Sequence, residues 1–131
     1  MHAAHSPPRP TLLIVDDDLD VLRALAFVAD TRGFDVELCR NAVEAVAVAA
    51  ARPPFGCLVI DQVLGEDRGI DVLAALRSRG IAAPAILVTT APSEGLKQRA
   101  AAAGVPIVEK PLLDEMLFTQ IDRLMRVDGY R

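Results

Sequence analysis

No apolar run in this 131-residue sequence reaches the roughly 18 residues that a membrane-spanning helix needs, because charges, prolines or glycines interrupt each one. The first ten residues, MHAAHSPPRP, lack the apolar core of a secretory signal. Basic charge is also short: 14 Lys and Arg stand against 18 Asp and Glu, for a net charge of −4 and a pI near 5.1. With no basic stripe, an acidic surface repels a phosphate backbone, which argues against direct nucleic-acid binding. The only cysteines, Cys39 and Cys57, sit in apolar runs with neither a CxxC nor a His/Cys ligand spacing. They read as small reduced core side chains rather than a disulfide or a zinc site. His2 and His5 lie in the Pro-rich head and receive no role. No Gly-rich phosphate loop follows the first apolar run, which counts against a nucleotide or flavin binder.

What is present is a chain rich enough to fold. Hydrophobic residues make up 52% and charged residues 24%, so burial can offset the entropy of ordering. The length suits one domain. Residues 1–10 read as a flexible tail, 11–127 as the domain and 128–131 as a short C-terminal stub. Within the domain, five apolar or β-branched runs read as buried strands: Thr11–Asp16, Phe34–Leu38, Gly56–Asp61, Ala85–Thr89 and Val105–Glu109. Helical spacing fills the gaps. Leu19–Arg32 stops at Gly33, and Asn41 with Glu44 opens Ala42–Ala51 as a capping box, with Pro53-Pro54 as its end. Ile70–Arg79 ends at Gly80, Ser93 caps Glu94–Ala103, and Asp114 caps a last helix to Val127. Five such units predict an α/β fold with a doubly wound parallel sheet covered by five helices on both faces.

In such a sheet the ligand site lies beyond the carboxyl ends of the strands. The first strand ends in Asp16-Asp17, the third in Asp61, the fourth in Thr89-Thr90 and the fifth in Glu109-Lys110-Pro111. Two carboxylates 4 Å apart repel by about 4 kcal/mol at an effective dielectric near 20. A cation relieves that repulsion, and all-oxygen ligands suit Mg²⁺. A lone carboxylate, Asp61, beside such a metal, with an ammonium and a hydroxyl close by, is an arrangement for phosphoryl transfer. Singly, each residue has an ordinary structural role: an Asp run caps a helix, a strand-end Thr is a good β-former, and Lys-Pro opens a loop. Their joint placement at four strand ends is what singles them out.

The segments LLIVDDD (12–18), CLVIDQVLGEDRGIDVL (57–73), PAILVTT (84–90) and VEKP (108–111) are similar to the receiver domain of two-component response regulators, over about residues 11–127. The resemblance implies a flavodoxin-like strand order 2-1-3-4-5. It implies that Asp61 accepts a phosphoryl group from a histidine kinase or histidine phosphotransfer protein. Asp17, Asp61 and the main-chain carbonyl of Val63 would hold Mg²⁺, with Asp16 helping through water. Lys110 would contact the phosphoryl group across a cis bond to Pro111, and Thr89 would bond a phosphoryl oxygen. Signalling would pass to a downstream protein through the face of the fourth helix, fifth strand and fifth helix, which in this family also forms homodimers. Such a module is cytoplasmic and bacterial, and no enzyme beyond Mg²⁺-dependent self-phosphorylation and autodephosphorylation. With only Asp-Gly-Tyr-Arg after the domain, a stand-alone regulator is expected slightly ahead of a fragment.

Three positions depart from the family pattern. Gly65 replaces the usual Pro four residues after the acceptor, Thr90 replaces a small residue after the switch hydroxyl, and Ile107 replaces the aromatic on the fifth strand. These keep open a second reading, a degenerate receiver that binds a partner constitutively. An aspartyl-phosphate phosphohydrolase would need an Asp-x-Asp acceptor; here the sequence is Asp61-Gln62-Val63.

Overall fold

The computed structural model describes residues 9–51, 54–112 and 114–127. The His-containing head up to residue 8, Pro53, the stub 128–131 and the side chain of the expected cap Asp114 lie outside the described residues. Five strands alternate with five helices: β1 (Thr11–Val15), α1 (Leu19–Thr31), β2 (Asp35–Cys39), α2 (Ala42–Ala51), β3 (Cys57–Asp61), α3 (Gly69–Ser78), β4 (Ala85–Thr89), α4 (Glu94–Ala102), β5 (Ile107–Glu109) and α5 (Asp114–Val127). The strands form one sheet in the order β2-β1-β3-β4-β5, every neighbouring pair parallel. This is the doubly wound order 2-1-3-4-5.

Side chains alternate across each strand, so each strand feeds two cores. Leu12, Ile14, Cys57, Val59, Ile86 and Val88 pack with α1 and α5 through Leu22, Leu25, Phe118 and Ile121. Leu13, Val15, Leu58, Ile60 and Leu87 face the other way, towards Ala45, Leu73, Leu76, Leu96 and Ala100 of α2, α3 and α4. The central strand β3 is buried along its whole length, as expected for a strand covered on both faces. Burial pushes the thiols of Cys39 and Cys57 up to about 12, so both stay protonated core side chains.

Three strands start later than their runs, the third at Cys57 rather than Gly56, and for the second and fifth the helix before them is the reason. The Phe34 N–H bonds to Ala29 O at 2.9 Å and the Val105 N–H to Ala100 O at 2.9 Å. Each closes the preceding helix across a glycine with positive φ, Gly33 or Gly104, and an N–H spent on a helix end cannot enter the ladder. The expected caps at Asn41 and Ser93 form: Asn41 Oδ1 accepts from the Glu44 N–H at 2.9 Å, and Ser93 Oγ accepts from the Leu96 N–H at 3.1 Å. At the other end of the chain, two residues read as tail join the fold instead. Arg9 donates to Phe34 O at 2.8 Å and pairs with Asp30 and Asp35. Pro10 is buried and accepts from the Asp35 N–H at 2.9 Å.

One element was not anticipated. After β3 the chain makes a small antiparallel ribbon, Val63–Leu64 against Asp67–Arg68, turning through Gly65 at φ 63°.

Candidate functional site

Ends of β1, β3, β4 and β5 meet at one edge of the sheet, and the loops between them enclose an open cleft of about 400 Å³. Each strand delivers its polar residue where its apolar run stops. Beyond β1, the Asp16 N–H still bonds to Cys39 O at 3.0 Å, which holds its side chain in line with the strand. Asp16 Oδ1 accepts from the Asp18 N–H at 2.9 Å. Asp18 in turn caps α1, accepting from Asp20 N–H at 2.9 Å and Val21 N–H at 3.3 Å. All three line the cleft, but they divide the work: Asp18 caps the helix, while the buried Asp16 and the exposed Asp17 gather with Asp61.

Asp61 closes β3 and is only 5% exposed. Its Oδ2 accepts from Lys110 Nζ at 3.0 Å, and its Oδ1 lies 3.4 Å from the Val63 N–H. Lys110 also reaches Asp16 Oδ2 at 3.8 Å. Its backbone N–H bonds to Thr89 O at 2.9 Å, which ties β5 to β4 beside the cleft. The Lys110–Pro111 bond is cis. Thr89 is buried and Thr90 exposed, and both line the cleft with Val63 and Ala91. Asp16, Asp17, Asp61, Thr89, Thr90 and Lys110 thus share one site, while Glu109 and Pro111 do not line it. Ile107 does not reach it; it packs half-buried against the core on the α2–α4 side.

The charges explain what the cleft can hold. Carboxylate oxygens of Asp16, Asp17 and Asp61 lie within 4.8 Å of one another. Desolvation, reinforced by the fields of Asp61 and Asp17, raises the Asp16 carboxyl to about 6 against the opposing pull of the Asp18 N–H and Lys110. Burial works against the Lys110 ammonium, but its bond to Asp61 and the fields of Asp61, Asp16 and Asp17 outweigh it and hold its pKa up. Three carboxylates against one ammonium leave excess negative charge in a partly dry cleft. Hard oxygen donors in that number fit a divalent cation such as Mg²⁺.

Four supporting residues carried no clear signal in the sequence. Gln62 Oε1 accepts from the Ile70 N–H at 2.9 Å and so caps α3, since Arg68 at the cap position makes no side-chain cap bond. Asp67 Oδ2 accepts from the Ala42 N–H at 3.2 Å, at the start of α2. Leu64, 3% exposed, anchors the ribbon in the core. Gly69 passes so close to β3 that a Cβ there would overlap the Asp61 carbonyl.

Residues 12–122 match the model of the response regulator receiver domain. Among relatives, the acid tolerance regulatory protein ActR of Sinorhizobium medicae is 46% identical over 81 residues, covering 60% of this chain and 41% of its own length. The transcriptional regulatory protein KdpE of Mycobacterium tuberculosis is 34% identical over 108 residues, covering 81% of this chain and 47% of its own length. The chain spans about half the length of the relatives it matches. Among solved structures, a CheY-like receiver domain from Methanospirillum hungatei superposes with a TM-score of 0.86 at 23% identity, covering 93% of this chain and 98% of that one. The chemotaxis protein CheY4 of Vibrio cholerae does so with a TM-score of 0.82 at 24% identity, covering 89% and 99%. Fold, cleft and sequence agree, and the chain belongs to the response regulator receiver domain family.

Proposed function

We propose that this receiver domain, residues 11–127, takes a phosphoryl group on Asp61 with Mg²⁺ bound and passes the signal on by protein contact. The observation that supports this best is the pairing of Lys110 Nζ with Asp61 Oδ2 at 3.0 Å beside the carboxylates of Asp16 and Asp17. Receiver domains work with histidine kinases and downstream effectors, so a phosphohistidine on a kinase or phosphotransfer protein is the natural donor. An Asp61 carboxylate oxygen attacks phosphorus, the P–N bond breaks, and the imidazole leaves with the bond's electron pair. Asp16, Asp17, Asp61 and the Val63 carbonyl would hold Mg²⁺, which when bound neutralises charge on the phosphoryl oxygens. Lys110 offers its ammonium to a phosphoryl oxygen, and Thr89 its hydroxyl to another. No separate catalyst is needed, so the domain is a signalling module in the cytoplasm and not an enzyme acting on other substrates. The α4–β5–α5 face would meet the downstream protein or a second copy.

Intact-mass spectrometry after incubation with Mg²⁺ and acetyl phosphate tests this. One phosphoryl adduct is expected, absent with a chelator and absent in Asp61→Asn. If neither an adduct nor beryllofluoride binding is seen, the domain is instead a constitutive binding module.

A further inference from the structure

The ribbon after Asp61 pairs only two residues on each strand, far too few to be stable alone. Arg68 braces it from within, donating to Gly65 O and Asp67 O at 3.0 Å each. Besides Leu64, two polar side chains tie it to the rest of the fold: Gln62, just before the first arm, and Asp67 on the second. Gln62 commits both its backbone groups and its side-chain oxygen. Its N–H bonds to Val88 O at 2.8 Å, its carbonyl accepts from Gly69 N–H at 2.8 Å, and its Oε1 accepts from Ile70 N–H at 2.9 Å. Asp67 reaches in the other direction, to the Ala42 N–H. The first N–H groups of a helix have no partner within the helix and carry the positive end of its dipole, so both oxygens are well placed. The ribbon is thus tied to the starts of two different helices, α3 and α2. Neither Gln62 nor Asp67 lines the cleft.

We propose that Gln62 and Asp67 are positioning residues for the divalent cation, holding Asp61 and Val63 in place before the ion arrives. This rests on the reading that Asp16, Asp17, Asp61 and the Val63 carbonyl ligate that ion. Val63 is more than half exposed, so its own packing holds it weakly and the ties on either side set its place. A loop ordered in advance binds more tightly than one ordered by the ion itself.

The test is Mn²⁺ binding to the full chain, read by loss of the free-ion EPR signal, with thermal midpoints measured on the same samples. Gln62→Met keeps charge and bulk but removes the acceptor, and Mn²⁺ affinity is expected to fall about tenfold. Asp67→Ala is expected to weaken binding similarly, while Asp67→Asn, which keeps an acceptor and loses only charge, stays close to wild type. A purely structural role would lower the midpoint and leave the affinity of the folded protein unchanged, and that result overturns the proposal. So does Asp67→Asn matching Asp67→Ala, which would reduce Asp67 to a distant charge. Should Gln62→Met fail to fold, the Asp67 pair decides. If wild type binds no Mn²⁺, the metal reading itself falls and this inference with it; wild-type binding with unaffected variants removes only the inference.

Discussion

Side-chain hydrogen bonds made by Asp16 and Asp18 in the loop after β1 close within three residues, whereas those of Gln62 and Asp67 in the loop after β3 span eight and twenty-five. Both loops shape one cleft, the first with the carboxylates that follow β1 and the second with Val63 beside Asp61, but by different physics. The first folds with its own helix, since Asp18 caps α1 and Asp16 holds the Asp18 N–H. The second exists only once α2 and α3 are seated, because its partners belong to them. The two also carry different costs: in the first a charge is buried, and in the second two stretches of backbone are pressed together.

Breaking the second loop should therefore have the largest effect. Gly69→Ala would drive a methyl group into the Asp61 carbonyl, and backbone on both sides leaves nowhere to retreat. Overpacking of this kind costs about 3 kcal/mol. Urea unfolding should register that loss together with poorer Mn²⁺ binding, because relief of the clash must move Asp61. Unchanged stability would mean that the loop after β3 is softer than its bonding implies.

The contrast between the loops also explains which parts were legible in the sequence. Strand ends could be read because β-branched runs stop at Asp16, Asp61, Thr89 and Lys110, and caps because Asn41 and Ser93 bond three residues ahead. Phe34 and Val105 were misplaced by one and two residues, since an apolar residue gives no sign that its N–H closes the helix behind it. Gln62 and Asp67 were invisible for a stronger reason: a bond to residue 70 or 42 leaves no local pattern. Gly69 gave no clue either, because the sequence puts it before a helix starting at Ile70 and its close approach to β3 shows only in the fold. Arg9 belongs with these, as its partners lie more than twenty residues away.

The charge buried in the first loop can be read by pH. Asp16 titrates at about 6 in the fold but near 3.9 when unfolded. A raised carboxyl favours the folded state while protonated in it, so that benefit is complete below about pH 4 and is lost as pH rises through 6. Without metal, moving from pH 7 to pH 5 should stabilise the protein by about 1 kcal/mol relative to Asp16→Asn. Added Mg²⁺ should shrink the difference, because the cation favours the ionised form. Urea midpoints at the two pH values, with and without Mg²⁺, check both parts. A wild-type response no different from the variant's would show that the charge is better solvated than its burial indicates.

The mildest change should separate the two loops most cleanly. Asp18→Ala removes the cap of α1 and leaves Asp16, Asp17 and Asp61 in place, at a cost of about 1 kcal/mol or less for an exposed cap. Because the Asp16 bond runs to the Asp18 backbone N–H and not to its side chain, the cleft keeps its geometry. The thermal midpoint should drop slightly while Mn²⁺ affinity stays close to wild type, the opposite of the pattern expected for Gln62→Met. A marked fall in affinity would mean that the cap and the cleft are one unit, and that the loop after β1 depends on α1 as heavily as the ribbon depends on α2 and α3.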